Sequence, residues 1–355
     1  MKQQADGRHR VVVRANASAR IGLGHLRRCA ALGRRLDTAG VDVHFLTKTE
    51  DLDPAVEVGG FAGACVMLES ALQGAADAAY TAEYCRSVGA DRLIVDHYQV
   101  DEAYQRVLLD SGIRWLQFDG AASMPLWADW VVSMSPAANG ERYRVLLRRP
   151  GTRLLLGPRY AILRDEFLQW HEARPVNPQA HRLLFTFGGG DDRGACLACL
   201  EALRKTNVFE ITILSSSYNP QLSSIRSWLE QHADLRGRLL LDDTDVARRM
   251  TEADIAVTAG GTTTFEMAML GLPALIVQIA DNQRINAQAW ERAGVAVDLG
   301  PLEQLDTDRL RNELVNLAGD AGLRERMATL GREYVDGHGV ERIIEELYPD
   351  VEMVS

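Results

Sequence analysis

The sequence lacks two features: a long hydrophobic run and an excess of basic residues. No apolar run approaches the roughly 18 residues that a membrane-spanning helix needs. The opening MKQQADGRHR is polar and has no apolar core after its charges, which is not the pattern of a secretory signal. We therefore expect a cytoplasmic protein without a membrane span.

The charge balance bears on the partners of the chain. The formal net charge is −10 at pH 7, whereas nucleic acids and acidic membranes are bound through basic fields. We expect neither as a partner. An acidic protein that binds an anion must use local donors, and the N–H groups at a helix N-terminus are such donors.

Cysteine is scarce, with five residues that form an odd and scattered set. Cys196 and Cys199 make the one C-x-x-C pair, and no second ligand pair lies near them in the sequence. We expect them to be small buried hydrophobes on one helix face, not a metal or redox centre. Asp242, Asp243 and Asp245 suggest a metal site, but Asp243 and Asp245 suit capping equally, and the loop backbone here could read a nucleobase edge. We expect no metal and no cofactor.

The length and the alternation of patterns predict the fold class. A chain of 355 residues is long enough for two α/β domains of roughly 100–200 residues each. A strand, a glycine turn and a helix open the pattern near residue 10 and again near residue 182. We predict the GT-B architecture, in which two Rossmann-like domains face a central cleft. The pattern alone leaves the function open.

The predicted domain boundaries follow the composition of the connecting segments. The first Rossmann-like domain covers residues 1–155, and a linker with Pro and Asn covers 156–180. The second Rossmann-like domain covers 181–322. Helices at 323–355 are expected to pack back across the domains.

The most informative stretch is residues 254–283. It predicts a buried strand at 255–258, a Gly260-Gly261 turn, a helix that Gly271 ends, and a second strand at 274–279. The stretch finishes in the polar tripeptide DNQ.

This unit favours the binding of an anion. Gly260 and Gly261 let a ligand approach the backbone, and the N–H groups of Gly261 to Thr264 are expected to be unpaired at the positive end of a helix dipole. Glu266, one turn into the helix, would then accept hydrogen bonds from a neutral diol such as a ribose. The alternative is an ordinary helix start, with Glu266 as an acid that the dipole favours.

His25 marks a second candidate site. A β-branched strand at 10–15 is followed by Gly22-x-Gly24 and then by His25 at the start of a helix. Ligands of open α/β sheets bind at the carboxyl ends of strands. A helix dipole favours the neutral imidazole that a general base needs. A capping or merely exposed histidine is the alternative.

Asp96 and Tyr98 follow a predicted strand at 92–95 and are expected to point toward the same crevice as His25. The alternatives are that Asp96 caps the helix at 102–109 and that His97 is loop surface.

Six segments of the sequence occur in one order: IGLGHLRRCAAL, DHYQVD, GPRYAILRDEF, FGGGD, AGGTTTFE and LGLPALIVQIADNQ. Together they resemble the UDP-2,4-diacetamido-2,4,6-trideoxy-β-L-altropyranose hydrolases of pseudaminic acid biosynthesis and their relatives in spore-coat polysaccharide formation. These are GT-B proteins similar to the glycosyltransferase that makes lipid II. The resemblance spans roughly residues 10–294.

The resemblance implies a metal-independent reaction in which water attacks the anomeric carbon with inversion and UDP leaves. It implies that His25 is the general base, that Tyr98 lines the sugar pocket and that Asn282 contacts the sugar or the β-phosphate. The implied substrate-binding set is Gly22, Gly24, Asp96, Gly260, Gly261, Thr262, Thr263, Glu266, Asp281 and Gln283.

Two positions depart from the family pattern. Asn16 stands where the family usually has aspartate, and Phe265 stands where tryptophan is common. The first puts the positioning of water or sugar in question, and the second affects only packing.

Two other functions fit the same motifs. A glycosyltransferase would use the same UDP-sugar donor site with an acceptor in place of water, and a non-catalytic protein would only bind the nucleotide sugar. A UDP-sugar is the expected partner in each case. The sequence leaves open which sugar it is and what the oligomeric state is, and an enzyme of this size can function as a monomer.

Overall fold

The computed structural model describes residues 8–17, 24–49, 61, 63–170, 175–204 and 209–351. Gly22 of the predicted glycine pair lies outside them. The chain divides into two compact units, Met1–Arg164 with His338–Ser355, and Asp165–Gly337. The division falls inside the predicted linker at 156–180.

The first unit is built on a sheet of seven parallel strands. They are β1 (Arg10–Ala17), β2 (Asp42–Thr49), β3 (Cys65–Met67), β4 (Arg92–Asp96), β5 (Trp115–Phe118), β6 (Trp130–Ser133) and β7 (Arg153–Leu156). Their order across the sheet is β3-β2-β1-β4-β5-β6-β7. The strand order therefore reverses between β1 and β4.

Among the described residues, the helices between these strands are α1 (Gly24–Thr38), α2 (Gly74–Val88), α3 (Glu102–Ser111) and α4 (Gly140–Arg144). The centre of the sheet is apolar on both faces, because Val11, Val12 and Val13 of β1 are all fully buried. Such continuous apolar runs are typical of parallel strands covered on both sides.

The second unit contains a sheet of six parallel strands. They are β8 (Arg182–Thr186), β9 (Glu210–Ser215), β10 (Arg236–Leu241), β11 (Ile255–Ala259), β12 (Ala274–Gln278) and β13 (Ala296–Pro301). The order β10-β9-β8-β11-β12-β13 is the Rossmann order, with its reversal between β8 and β11.

The helices of this unit follow the same alternation. They are α5 (Asp165–Leu168), α6 (Ala195–Leu203), α7 (Leu222–Gln231), α8 (Val246–Glu252), α9 (Thr263–Leu270), α10 (Arg284–Arg292), α11 (Thr307–Gly319) and α12 (Ala321–Tyr334). Cys196 and Cys199 are buried in the apolar core on α6. The prediction of two Rossmann-like units is confirmed.

The last helix, α13 (Gly339–Leu347), belongs to the first unit. Ile343 and Ile344 are fully buried, and Glu341 and Glu346 pair with Arg35 of α1 and Arg153 of β7 at 2.5 and 2.6 Å. The helices expected at 323–355 are thus divided between the units. Helix α12 lies in the second unit and α13 lies in the first.

Within the described residues, no helix combines the length and the apolar character needed to cross a membrane.

Candidate functional site

The His25 motif and the Gly260-Gly261 turn each lie where the strand order of their own sheet reverses. In the first unit, α1 follows β1, and Asp96 is the last residue of the neighbouring strand β4. In the second unit, Gly260 follows β11, which pairs with β8. The carboxyl ends of strands at such reversals are where doubly wound sheets bind ligands.

His25 and Asp96 form a short hydrogen bond, with His25 Nδ1 2.6 Å from Asp96 Oδ1. The Asp96 side chain is 2% exposed and that of His25 is 12% exposed. An ionised carboxylate only accepts hydrogen bonds, so the hydrogen lies on Nδ1. In the neutral imidazole, Nε2 is then the atom that accepts a proton.

Two further side chains of α1 bind the same carboxylate. Arg28 donates from Nε to Asp96 Oδ2 and from Nη2 to Oδ1, both at 2.5 Å, and the Cys29 thiol donates to Oδ2 at 3.4 Å. Burial opposes the ionisation of Asp96, but the Arg28 guanidinium and His25 outweigh it and hold the pKa of Asp96 well below its usual range.

The structure corrects the reading of Asp96 as a helix cap. Asp101 caps α3 instead, since its side chain accepts a hydrogen bond from Tyr104 N at 2.7 Å. Asp96, which the sequence placed among the substrate-binding residues, has both oxygens engaged by α1. The spacing of His25, Arg28 and Cys29 at i, i+3 and i+4 was a usable signal, because such residues share one helix face.

Tyr98 lies beside His25, as expected. The edge of one ring faces the other, the centroids are 4.5 Å apart, and the tyrosine is 64% exposed. His97 is not loop surface, because it is buried and packs against the ring of Tyr104 at 5.1 Å. This interpretation of His97 from the sequence was wrong.

Asn16 belongs to a buried ionic network at the end of β1. Its side-chain oxygen accepts a hydrogen bond from Arg14 Nη1, and Arg14 grips Asp77 with two donors at 3.0 and 2.7 Å. Lys48 Nζ lies 2.8 Å from the same carboxylate. Burial opposes ionisation of Asp77, but Arg14 and Lys48 lower its pKa to about 2.

In the second unit, Gln283 ties two loops together. Its Oε1 accepts hydrogen bonds from Gly260 N at 3.2 Å and from Ile279 N at 3.0 Å. The sequence suggested that Gln283 binds the nucleotide, whereas this contact gives it a structural task. A Cβ on Gly260 would lie 2.9 Å from the Gln283 Cβ, so any other residue would force the backbone or Gln283 to shift.

The helix start after Gly260 offers backbone donors. Thr264 N bonds the Gly261 carbonyl at 3.2 Å and Phe265 N bonds the Thr262 carbonyl at 3.0 Å. The expectation that Thr264 N is unpaired was wrong. The N–H groups of Gly261, Thr262 and Thr263 precede the first bonded N–H of the turn, where helix starts leave donors for a ligand.

Trp290 of α10 fixes this turn. Its Nε1 donates to Thr264 Oγ1 at 3.0 Å, and Thr264 Oγ1 donates to the Gly261 carbonyl at 2.8 Å. Phe265 is buried and packs against the Trp290 ring at 5.4 Å, so its contact is one of packing. The sequence gave no signal for Trp290, since the contact joins separate helices.

The remaining predicted residues have these positions. Gly24 is the first residue of α1, Glu266 is half-buried in the first turn of α9, and Asp281 and Asn282 are exposed in a 3₁₀ helix after β12. Their binding roles stay predictions.

Comparison with solved structures defines the class of fold. The structure of MurG from Acinetobacter baumannii aligns with a TM-score of 0.68 at 16% identity and covers 96% of this chain and 99% of that one. A UDP-GlcNAc 2-epimerase from Neisseria meningitidis, bound to UDP-GlcNAc, aligns with a TM-score of 0.65 at 12% identity and covers 96% and 100%. The protein has the GT-B fold.

Two proteins are similar to the chain in sequence as well. The chain is 23% identical over 300 residues to the UDP-2,4-diacetamido-2,4,6-trideoxy-beta-L-altropyranose hydrolase of Campylobacter jejuni, covering 81% of this chain and 98% of the relative. It is 26% identical over 203 residues to the spore coat polysaccharide biosynthesis protein SpsG of Bacillus subtilis, covering 56% of this chain. The resemblance predicted from the motifs is confirmed.

The match to SpsG spans 59% of that protein's length, less than two thirds of it. No protein-family model matches the chain.

Proposed function

We propose that this protein hydrolyses a UDP-linked amino or deoxy sugar to the free sugar and UDP, with inversion at the anomeric carbon and without a metal. The observation that carries the proposal is the 2.6 Å hydrogen bond between His25 Nδ1 and Asp96. This bond supports the proposal because it assigns the hydrogen to Nδ1 and leaves Nε2 to take a proton, at a strand end of the kind where doubly wound sheets bind ligands.

The reaction follows from this tautomer. His25 Nε2 removes a proton from water as the water oxygen bonds to the anomeric carbon. The bond from that carbon to the UDP oxygen breaks, and its electron pair leaves with UDP. Positioned general-base catalysis of this kind contributes about 10²–10⁴-fold in rate.

The second unit supplies a place for the leaving group. The N–H groups of Gly261, Thr262 and Thr263 and the dipole of α9 favour a diphosphate and stabilise the charge that develops on UDP. Glu266 accepts hydrogen bonds from the ribose hydroxyls in this assignment, and Asn282 contacts the sugar or the β-phosphate.

The substrate that we propose is UDP-2,4-diacetamido-2,4,6-trideoxy-β-L-altrose or a close analogue, in nonulosonic acid or surface polysaccharide biosynthesis. The support is the alignment with the Campylobacter jejuni hydrolase over 98% of its length.

The test is to incubate the purified protein in ¹⁸O-water, with a chelator, with this nucleotide sugar and a panel of UDP-N-acetylhexosamines. The mass of each product is recorded. We expect UDP without label and a free sugar that carries one ¹⁸O. The anomer that forms first, followed by NMR, should be inverted relative to the substrate.

Two other outcomes would overturn the proposal. UDP release that begins only when an acceptor extract is added would make the protein a glycosyltransferase. Tight binding of the panel without UDP release under either condition would make it a nucleotide-sugar binding protein.

A further inference from the structure

Arg28 occupies the space between Asp96 and the ring of Phe118. Its guanidinium grips Asp96 with Nε and Nη2, and its central carbon lies 4.9 Å from the Phe118 ring centroid. The side chain is 18% exposed. The two hydrogen bonds to Asp96 and the stacking on Phe118 hold the planar guanidinium in one orientation. A lysine ammonium would not reproduce this two-bond, stacked geometry.

The same guanidinium lies close to the imidazole without bonding it. Arg28 Nη2 is 3.1 Å from His25 Nδ1. Because the hydrogen on Nδ1 is directed to Asp96, this nitrogen has no lone pair to offer Arg28. The contact therefore sets a positive charge beside the ring.

Two opposite charges thus act on His25 from similar distances. Asp96 favours a second proton on the imidazole, and Arg28 opposes it. An aspartate alone would both orient the ring and stabilise its cation, and an imidazolium cannot act as a base. Arg28 leaves the Asp96–His25 hydrogen bond, and so the orientation of the ring, unchanged. Its positive charge offsets the negative charge of Asp96.

We propose that Arg28 is a positioning residue that balances the charge of Asp96, so that Asp96 fixes the tautomer of His25 while the imidazole stays neutral and able to accept a proton. This inference rests on the proposed role of His25 as the base.

Within the described residues, His25 contacts Arg28 of its own helix, Asp96 at the end of β4 and Tyr98 in the loop after β4. The Cys29 thiol donates to the same Asp96 carboxylate. Burial raises the pKa of the Cys29 thiol well above its ordinary value, so that group stays neutral. The charged side chains that these contacts bring against His25 are therefore Arg28 and Asp96.

The test uses NMR of the free protein labelled with ¹⁵N-histidine, titrated with acid and base. A His25→Gln sample identifies the His25 signals. In the wild type, we expect the ring pattern of a neutral imidazole with hydrogen on Nδ1. In Arg28→Gln, which keeps amide donors but removes the charge, the pH at which His25 takes its second proton should rise by about one to three units.

Three further variants separate the effect of charge from that of geometry and provide a control. Arg28→Lys keeps the charge and should leave the titration within about half a unit of the wild type. Arg34→Gln removes an arginine from the exposed side of α1 and should change nothing. Asp96→Asn removes the negative charge instead and should lower the pH at which His25 takes its second proton. This variant keeps the proposal testable if Arg28→Gln fails to fold.

Turnover gives a second readout. In Arg28→Gln, kcat at neutral pH should fall about tenfold or more and recover as the pH is raised, with KM changed less than about twofold. A merely structural role for Arg28 would lower activity at every pH.

The experiments distinguish a failure of the charge-balance proposal from a failure of the proposed hydrolase function. If His25 titrates in Arg28→Gln as it does in the wild type, the charge balance is wrong even where the sugar is hydrolysed. If the titration shifts as expected but no nucleotide sugar is hydrolysed, the charge balance stands and the hydrolase function is wrong.

Discussion

Two histidines near the end of β4 show how strongly local surroundings decide the role of a residue. His25 meets Asp96 and lies beside an exposed tyrosine, whereas His97, the residue after Asp96, is buried against Tyr104. Consecutive side chains at a strand end point to opposite faces of the sheet. The sequence D-H-Y therefore delivers Asp96 to one face and His97 to the other.

His97 is held neutral in the folded protein. Its Nδ1 accepts a hydrogen bond from Gln99 N at 3.2 Å, and Nε2 is buried without a hydrogen-bond partner within the described part of the chain. Burial, reinforced by the nearby Arg14, lowers the pKa of His97 to about 3.

We predict that His97 makes the protein sensitive to acid. The unfolded chain binds a proton at this residue near pH 6.5, and the folded chain does so only near 3. Between these values the unfolded state binds more protons, so the free energy of unfolding falls with falling pH by up to about 1.4 kcal/mol per pH unit. His97→Gln should lose less stability than the wild type in urea unfolding between pH 7 and pH 4. Equal losses in both proteins would contradict this.

At the scale of elements, the sequence predicts what is local. The unit β11-α9-β12 appears at the expected positions, because an apolar run, two glycines and Gly271-Leu272-Pro273 are signals within the segment. The short edge strands β3 and β7 were not predicted. Their signals are weak without the sheet that they join.

In the candidate site, too, the sequence predicted local features but not contacts between distant residues. Motif spacing brought attention to His25 and the glycine turn. It did not give the partner of Asp96 or the side-chain bonds of Gln283 and Trp290, because these contacts join residues that are distant in sequence. The i, i+3, i+4 pattern of α1 identifies a shared face, but not the carboxylate that the face meets.

The glycine turn provides a matched pair of variants. Gly260→Ala would bring a Cβ within 2.9 Å of the Gln283 Cβ and 3.3 Å of its carbonyl oxygen, whereas a Cβ on Gly261 meets nothing within 4 Å. We expect Gly260→Ala to lower stability by about 1–3 kcal/mol and to weaken UDP binding. Gly261→Ala should keep stability and weaken UDP binding alone, since the proposed diphosphate approaches this backbone.

Thermal unfolding and calorimetric titration with UDP check both variants. Unchanged UDP affinity in Gly261→Ala would place the diphosphate elsewhere.

At the scale of the whole molecule, the chain returns to its first unit at the end. Tyr348 is fully buried, and its hydroxyl donates to Asp91 at 3.3 Å. His9 contacts both Asp91 and Asp350 at 2.9 Å. The raised pKa of His9, to which the Asp350 hydrogen bond contributes most, agrees with this closure.

Removal of this segment should affect the two units unequally. A chain that stops after Gly337 loses four fully buried side chains, namely Ile343, Ile344, Leu347 and Tyr348. At roughly 1.5–3 kcal/mol each, their loss is comparable with the ~5–15 kcal/mol stability of a domain. We predict that protease then degrades the first unit while Asp165–Gly337 persists and binds UDP.

A chain that stops after Asp350 is the control and should resist protease like the full chain. Equal digestion of both units in the chain that stops after Gly337 would contradict the assignment of α13 to the first unit alone.

If His25 is the base of a nucleotide-sugar hydrolase, His25→Gln removes the group that activates the water. The measurement is the rate of UDP release from the proposed substrate, together with the UDP dissociation constant by calorimetry. We predict a fall in kcat of about 10²–10⁴-fold with UDP affinity changed less than about twofold. A variant that releases UDP as fast as the wild type would show that another group activates the water.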